Sequence, residues 1–351
     1  MKKEETRHAT LYRQYRPSAF AQVRGQSHIV DTLEKAIAHK KIAHAYLFSG
    51  GRGTGKTTVA RILARELGVT DNDLFEMDAA SNRGIDDIRE LREGVYALPF
   101  NSPYKFYIID EAHMLTKEAW NALLKTLEEP PAHCIFVLAT TERDKVPETI
   151  QSRCEVYAFK QPTREILAQI VIDVAKSEGY TIDRPAAELV ALLAEGSFRD
   201  ALSVLQKVLA VSDSKKIDAA AVEAVSGAPR GELIRQVIRG LADKDASAAL
   251  AAIQSGIGEN MDARTLTKLL IHRMRVILLM RYAPDLAAQL SSELTEADLT
   301  LAHEIAKNPG ITSDTLRTLL EAYSIMAYAA VPHLPLELAV IDLCKMKESV
   351  V

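Results

Sequence analysis

Cysteine is scarce: only Cys134, Cys154 and Cys344 occur in 351 residues. So few scattered thiols exclude a disulfide framework and a cysteine-rich metal site. An excess of positive charge is also missing. The formal net charge is −4, so no chain-wide basic field announces nucleic acid, and any such contact must be a local patch. Long hydrophobic runs are absent too. The most apolar late segment, Leu266 to Met280, is interrupted by His272, Arg273 and Arg275, which argues against a membrane span. Met1-Lys2-Lys3 is followed by Glu4-Glu5-Thr6-Arg7-His8 rather than by an apolar stretch, so no signal peptide is expected. No repeat or low-complexity tract occurs. What is present is length and 48% hydrophobic residues, enough for two or three packed domains. The expectation is a cytoplasmic chain without membrane contact.

The run Gly50-Gly51-Arg52-Gly53-Thr54-Gly55-Lys56-Thr57 fits the pattern G-x-x-x-x-G-K-[ST]. Its context strengthens it. Ala45-Tyr46-Leu47-Phe48 before it reads as a strand, and Thr58 to Ala64 after it reads as a helix. Strand, glycine-rich turn and helix make a phosphate loop: glycines let the backbone wrap closely, and the helix N-terminus aims N–H groups at an anion. Residues 50–58 are the expected nucleotide-binding segment. Lys56 is expected to neutralise β- and γ-phosphates, and the Thr57 hydroxyl to ligate magnesium. A second apolar strand, Lys105 to Ile109, runs into Asp110-Glu111-Ala112-His113. Asp110 is the expected magnesium carboxylate and Glu111 the group that polarises attacking water. The plainer reading, a buried strand ending in exposed acids, weakens once a phosphate loop lies upstream.

Strands and helices alternate from about residue 10 to 160. Leu74 to Met77 reads as a strand, and Ile85, Ile88, Leu91, Val95 and Leu98 mark one apolar helix face. A helix from Lys117 to Glu128 is stopped by Pro130-Pro131. Cys134 to Ala139 is a continuous apolar strand suited to the centre of a parallel sheet, and Val156 to Phe159 is the last strand expected. Such alternation predicts a parallel sheet covered on both faces, with ligands at the carboxyl ends of its strands. The phosphate loop, Asp110-Glu111 and Thr140-Thr141 all fall on that edge. Past Gln161-Pro162 no strand is expected. Helices are predicted at Arg164–Ser177, Pro185–Ala194 and Asp200–Ala210, then a longer all-helical region with breaks near Gly240, Gly256-Ile257-Gly258 and Asn308-Pro309-Gly310.

Several motifs occur in a fixed order: Tyr15-Arg16-Pro17, Gly25-Gln26, His44 to Phe48, the phosphate loop, Asp78-Ala79-Ala80-Ser81, Asp110 to Leu115, Leu123 to Pro130, Ser152-Arg153-Cys154 and Gly196 to Ala201. Together they resemble the bacterial DNA polymerase III gamma/tau family, the ATPases of the clamp loader in the AAA+ superfamily. The match is specific from 1 to about 225 and only compatible beyond. The resemblance implies an α/β P-loop NTPase (AAA+) domain with a parallel sheet at 1–160, a small helical lid domain at 161–225 and an all-α collar-type oligomerisation domain at 226–351. It implies that Tyr15, Arg16, Pro17 and Val23 lie against adenine. It implies that Thr141, with Thr140 as the neighbouring alternative, senses the γ-phosphate, and that Arg199 is the second sensor. Arg153 would be an arginine finger acting in trans on an adjacent subunit. The implied partners are delta, delta prime and further gamma/tau copies, the sliding clamp and primer-template DNA.

There are departures from the family pattern. Family members usually carry a four-cysteine zinc module after the P-loop helix, whereas Gly68 to Leu74 holds no cysteine or histidine, so no zinc is expected. The long tail of tau-type products is also missing, so the chain is expected to be a gamma-like form or a truncation. Ser81-Asn82-Arg83 and Lys125 either touch DNA phosphates or are simply solvated. Trp120 is expected against the sheet, and Cys134 and Cys154 as buried small hydrophobes. Two rivals remain open: a non-hydrolysing scaffold subunit, and a branch-migration motor. The intact Lys56, Thr57, Asp110 and Glu111 argue against the first, and the Ser-Arg-Cys motif against the second.

Overall fold

The computed structural model describes residues 10–212, 214–258, 261–290 and 294–345. The residues on which the signal-peptide reading rests, 1–8, lie outside that set. The chain divides into two compact units. One holds the described residues up to Leu167 together with Ala194–Ser203, and the other holds Ala168–Leu193 and the described residues from Val204 onward.

The first unit is built on a five-stranded parallel sheet: β1 (Ala45–Ser49), β2 (Leu74–Asp78), β3 (Lys105–Asp110), β4 (Cys134–Thr140) and β5 (Glu155–Ala158), in the order β2-β3-β4-β1-β5. The central strands β1 and β4 are buried along their whole length, so both of their faces must be apolar. Strand alternation then sorts the side chains. Tyr46, Phe48, Phe106, Ile108, Ile135 and Val137 face one cluster, whose helical side is Ile29, Val30 and Leu33 with Val59, Ile62 and Leu63. Ala45, Leu47, Tyr107, Ile109, Phe136 and Leu138 face the other, filled by Ile88, Val95, Trp120, Leu123 and Leu127. The first set of helical residues comes from α2 (Ser27–Ala38) and α3 (Lys56–Glu66), the second from α4 (Ile85–Val95) and α5 (Lys117–Glu128). Before them comes the short α1 (Leu11–Gln14).

Local chemistry sets the ends of these helices. Thr116 Oγ1 accepts from Ala119 N at 3.2 Å and caps α5. The Asp87 carboxylate accepts from Gly84 N at 3.0 Å at the start of α4. Helix α4 stops at Val95, one residue pair short of Leu98, which is 78% exposed. The expected apolar face therefore ends early. Pro99 disfavours helical backbone at Leu98, and this overrides the continuing spacing.

The short α6 (Glu148–Gln151) lies between β4 and β5, and after the sheet come α7 (Arg164–Ser177), α8 (Arg184–Leu193), α9 (Phe198–Val211) and α10 (Ala219–Ser226). The expectation that no strand follows residue 162 is overturned. Within the second unit, β6 (Thr181–Ile182) pairs in parallel with β7 (Lys216–Ile217). Two-residue strands carry no readable alternation.

The rest of the second unit is helical: α11 (Gly231–Asp243), α12 (Ala246–Gly258), α13 (Ala263–Tyr282), α14 (Pro284–Leu290), α15 (Glu296–Ala306), α16 (Ser313–Ile325) and α17 (Leu334–Cys344). Ile234, Val237, Ile253, Leu266, Leu270, Met274, Leu301, Leu319 and Val340 share one core. The breaks expected near Gly240 and at Gly256-Ile257-Gly258 are present, for α11 ends at Asp243 and α12 at Gly258, while Gly240 and Gly256 themselves still lie inside the helices. A Cβ on Gly240 would stand 2.8 Å from Ala249 Cβ, and one on Gly256 would stand 2.3 Å from Met261 Cε. These glycines permit close packing. The Asn308-Pro309-Gly310 break is real, and Arg281 clasps it by donating to the carbonyls of Ile305, Ala306, Asn308 and Ile311. Among the described residues no helix is long and apolar enough to cross a membrane.

Candidate active site

The turn after β1 uses glycine because its backbone passes through conformations that other residues avoid. Gly50, Gly53 and Gly55 have φ of 148°, 69° and 103°. Space is as restrictive as torsion: a Cβ would stand 2.5 Å from Phe159 O at Gly50 and 2.1 Å from Ser197 Oγ at Gly53. The loop is fastened from several sides. Gly50 N donates to Thr140 O at 3.2 Å and Phe198 N to Gly53 O at 3.0 Å. Thr54 Oγ1 donates to Gly51 O at 2.9 Å.

Helix α3 opens behind Gly55 with no side-chain cap and no acid in its first turn. Its free N–H groups and dipole concentrate positive potential where Lys56, Thr57 and Thr58 begin. That is a phosphate site in waiting. The Lys56 ammonium is buried and donates to Gly50 O at 2.8 Å and Gly51 O at 2.9 Å. Burial pushes its pKa down, while Glu111 and then Asp110 oppose that shift. Arg52 is exposed on the loop.

Strands β1 and β3 are separated by β4 in the sheet, yet their ends meet through side chains. Thr57 Oγ1 donates to Asp110 Oδ2 at 2.7 Å, and Glu111 N donates to Asp110 Oδ1 at 3.0 Å. A hydroxyl and a carboxylate oxygen suit a hard cation such as Mg2+, which keeps waters and substrate phosphates for its other positions. Among the described residues no group of three or more His, Cys, Asp or Glu is placed to hold a metal. Glu111 adopts left-handed backbone, φ 48° and ψ 42°, a conformation costing a non-glycine residue about 1–3 kcal/mol. Its Oε2 accepts from Thr141 Oγ1 at 3.1 Å. Thr140 turns instead toward His113, with its Oγ1 3.1 Å from Nδ1.

The Arg199 guanidinium lies 5.6 Å from the centroid of the Tyr12 ring, and its charge is felt at Lys56 and at Arg16. Tyr15, Arg16, Pro17 and Val23 are each half-buried. Burial, with repulsion from Arg61 next in size, pushes Arg16 below the usual guanidinium range. Arg153 is not brought to this cluster. Nη2 of Arg153 pairs with Glu128 Oε1 at 2.6 Å and Nη1 donates to Thr149 O at 2.6 Å.

One residue had no role assigned from sequence. Gln26 is wholly buried. Its Nε2 donates to Lys160 O at 2.7 Å and Thr54 O at 3.4 Å, and its Oε1 accepts from Lys160 N at 3.2 Å. It joins the phosphate loop to the segment after β5. A lone glutamine before a helix carries no pattern by which to find this.

The family model described as "DNA polymerase III, delta subunit" matches residues 25–77 and 69–163. Curated relatives match more of the chain. The DNA polymerase III subunit tau of Bacillus subtilis (strain 168) is 37% identical over 95% of this chain and 63% of its own length. The gamma/tau subunit of Mycobacterium tuberculosis (strain ATCC 25618 / H37Rv) is 38% identical over 86% of this chain and 56% of its own. The tau subunit of Escherichia coli (strain K12) is 34% identical over 91% of this chain and 52% of its own. Over most of its length the chain is similar to DNA polymerase III gamma/tau subunits. The delta name comes from a match confined to the sheet region, whereas these relatives span both units. The chain covers between about half and two-thirds of those relatives' lengths. Its fold is shared with the RuvB Holliday junction branch migration motor of Thermotoga maritima: TM-score 0.53, 20% identity, 90% of this chain and 99% of that one. At that identity the likeness concerns fold alone: a parallel-sheet α/β domain followed by a helical region, as expected from sequence.

Proposed function

We propose that this chain is the ATPase motor subunit of a DNA polymerase III clamp loader. One observation carries the reading: Thr57 meets Asp110 at 2.7 Å, and beside them Thr141 meets Glu111 at 3.1 Å, all at the mouth of the glycine turn. A scaffold that never hydrolyses nucleotide has no need of this assembled constellation. Loop amides and Lys56 would grip the β- and γ-phosphates. Thr57 and Asp110 would hold Mg2+, whose contribution is to neutralise phosphate charge. Glu111 would orient and polarise the attacking water, with Thr141 holding the carboxylate. Arg199 would reach the phosphates from its own chain. Tyr15, Arg16, Pro17 and Val23 would contact adenine. Arg153 would be supplied to the neighbouring protomer's site, where a guanidinium stabilises spreading phosphoryl charge.

In this reading residues 1–160 bind nucleotide, 161–225 form the lid and 226–351 the collar. The partners are delta, delta prime, further gamma/tau copies, the sliding clamp and primer-template DNA, in the cytoplasm. Residues 68–74 offer no thiolate or imidazole, so no zinc is held there. ATP drives the cycle by binding the clamp-gripping conformation more tightly than the relaxed one. The test is ATP turnover by the chain assembled with the host's clamp-loader subunits, with and without clamp and primed DNA. Stimulation by both is the expected result. Absence of turnover would leave the scaffold reading, and migration of a four-way junction by this chain alone would leave the branch-migration reading.

A further inference from the structure

His113 is the side chain of the two-acid turn that the ATPase reading leaves without a task. We propose that it is a positioning residue for Glu111, acting together with Glu142. This rests on the ATPase reading of the site and adds a residue to it.

The geometry begins with the backbone. Glu111 is left-handed, and the short 3-10 turn Ala112–Met114 follows at once. That sharp reversal folds the His113 ring back over the end of β4, where its side chain is 7% exposed. Each ring nitrogen then faces an oxygen. Nδ1 stands 3.1 Å from Thr140 Oγ1 and 3.5 Å from Glu111 Oε2. Nε2 stands 3.4 Å from Glu142 Oε1. Thr140 Oγ1 also accepts from Glu142 N at 3.0 Å. An imidazole that only fills space needs no such pairing at both ends.

Proton placement follows from these acceptors. Both facing carboxylates can only accept, so each ring nitrogen holds its carboxylate only by directing a hydrogen at it: Nε2 at Glu142 and Nδ1 at Glu111, with Thr140 Oγ1 the nearer acceptor on the Nδ1 side. The ring edge and the Thr141 hydroxyl both meet Glu111 at Oε2. Pinned at that oxygen, the carboxylate presents Oε1 to water. Glu142 anchors the far side of the ring, and Lys145 Nζ in turn holds Glu142 at 2.8 Å.

The test is steady-state ATP hydrolysis by the full clamp-loader assembly carrying His113 variants, with ATP binding and melting temperature measured alongside. A positioned general base contributes about 10²–10⁴ in rate. Loss of its orientation should forfeit part of this, so His113→Ala should lower kcat about tenfold while KM for ATP holds within about twofold. His113→Asn, whose amide reaches the Nδ1 position, should recover most of the loss, whereas His113→Gln, which reaches the Nε2 position, should not. Adding Glu142→Gln to His113→Ala should cost nothing further, because both act on one ring. Unchanged kcat in His113→Ala would overturn the proposal. So would a loss that tracks melting temperature, or one that Asn fails to recover. Glu111→Gln serves as the control. If it hydrolyses ATP normally, the ATPase reading itself falls, whatever His113 does.

Discussion

Thr57 and Asp110 lie 53 positions apart in sequence and 2.7 Å apart in space. The sheet order makes this contact necessary. With β4 interposed, the ends of β1 and β3 stand about two strand spacings apart, on the order of 10 Å. A side chain from the first turn of α3 must close the gap. Asp110→Asn keeps the hydrogen bond but removes the charge. It should lower kcat for ATP about 10²–10³-fold, with the fold intact by circular dichroism. Normal turnover would exclude Asp110 as the charged ligand.

Arg153 separates stability from activity. Its ion pair with Glu128 is partly exposed, at 34% and 40% of the two side chains, so removal should cost only about 0–1 kcal/mol. Arg153→Ala should therefore melt within a few degrees of the parent and bind ATP normally. Hydrolysis by the assembly should nonetheless fall about 10³-fold. Normal hydrolysis would exclude the shared site.

Gly240 offers a contest of signs. Gly to Ala inside a helix ordinarily gains about 1 kcal/mol. Here the new methyl would meet Ala249 N at 2.9 Å and Ala249 Cβ at 2.8 Å, and overpacking against backbone costs about 1–3 kcal/mol. Gly240→Ala should therefore lower the melting temperature of the second unit. A rise would show that α11 and α12 separate freely.

Glu223 gives a pH dependence. Burial raises its pKa above the usual glutamate value of 4.5, and a hydrogen bond from Gly231 N only partly opposes this. A raised acid favours folding while protonated. Its contribution is full below 4.5 and is lost as pH climbs through the raised folded value. Glu223→Gln keeps an acceptor for Gly231 without the charge. The variant should match the parent at pH 4 and be the more stable at pH 8 in urea melts. Equal midpoints at both pH values would refute this.

Asp298 tests a buried ion pair. Its carboxylate is 5% exposed and pairs with Arg235 at 3.1 Å and Arg273 at 2.7 Å. Removing it leaves two guanidiniums facing each other, so Asp298→Ala should cost about 3–5 kcal/mol. A loss under 1 kcal/mol would show that water already reaches the cluster.

What could be read from sequence follows the range of the forces involved. The glycine turn announces itself because its torsional demands and its spacing are local. The sheet announces itself because buried strands such as Cys134–Thr140 are apolar throughout. Gly240 and Gly256 marked nearby helix ends correctly, but their close approach to Ala249 and Met261 stayed hidden, because a glycine that lets chain segments touch looks the same in sequence as one near a helix end. The pairing of Thr181–Ile182 with Lys216–Ile217 was hidden because each strand is too short to show a period. Thr57 and Asp110 were each identifiable by motif. The bridge from Gln26 to Thr54 and Lys160 was not, since it depends on long-range contact alone. Arg153 and Arg199 were singled out only through resemblance, for an isolated arginine carries no local signature.

Trp120 is the only tryptophan in the chain, and it is 5% exposed in the layer between α5 and the sheet. Excitation at the red edge of the indole band therefore interrogates a single location. Its emission follows the first unit while the second stays optically silent. Since α5 also carries Glu128, the partner of Arg153, that one fluorophore gives a label-free view of the helix against which the Arg153 guanidinium rests.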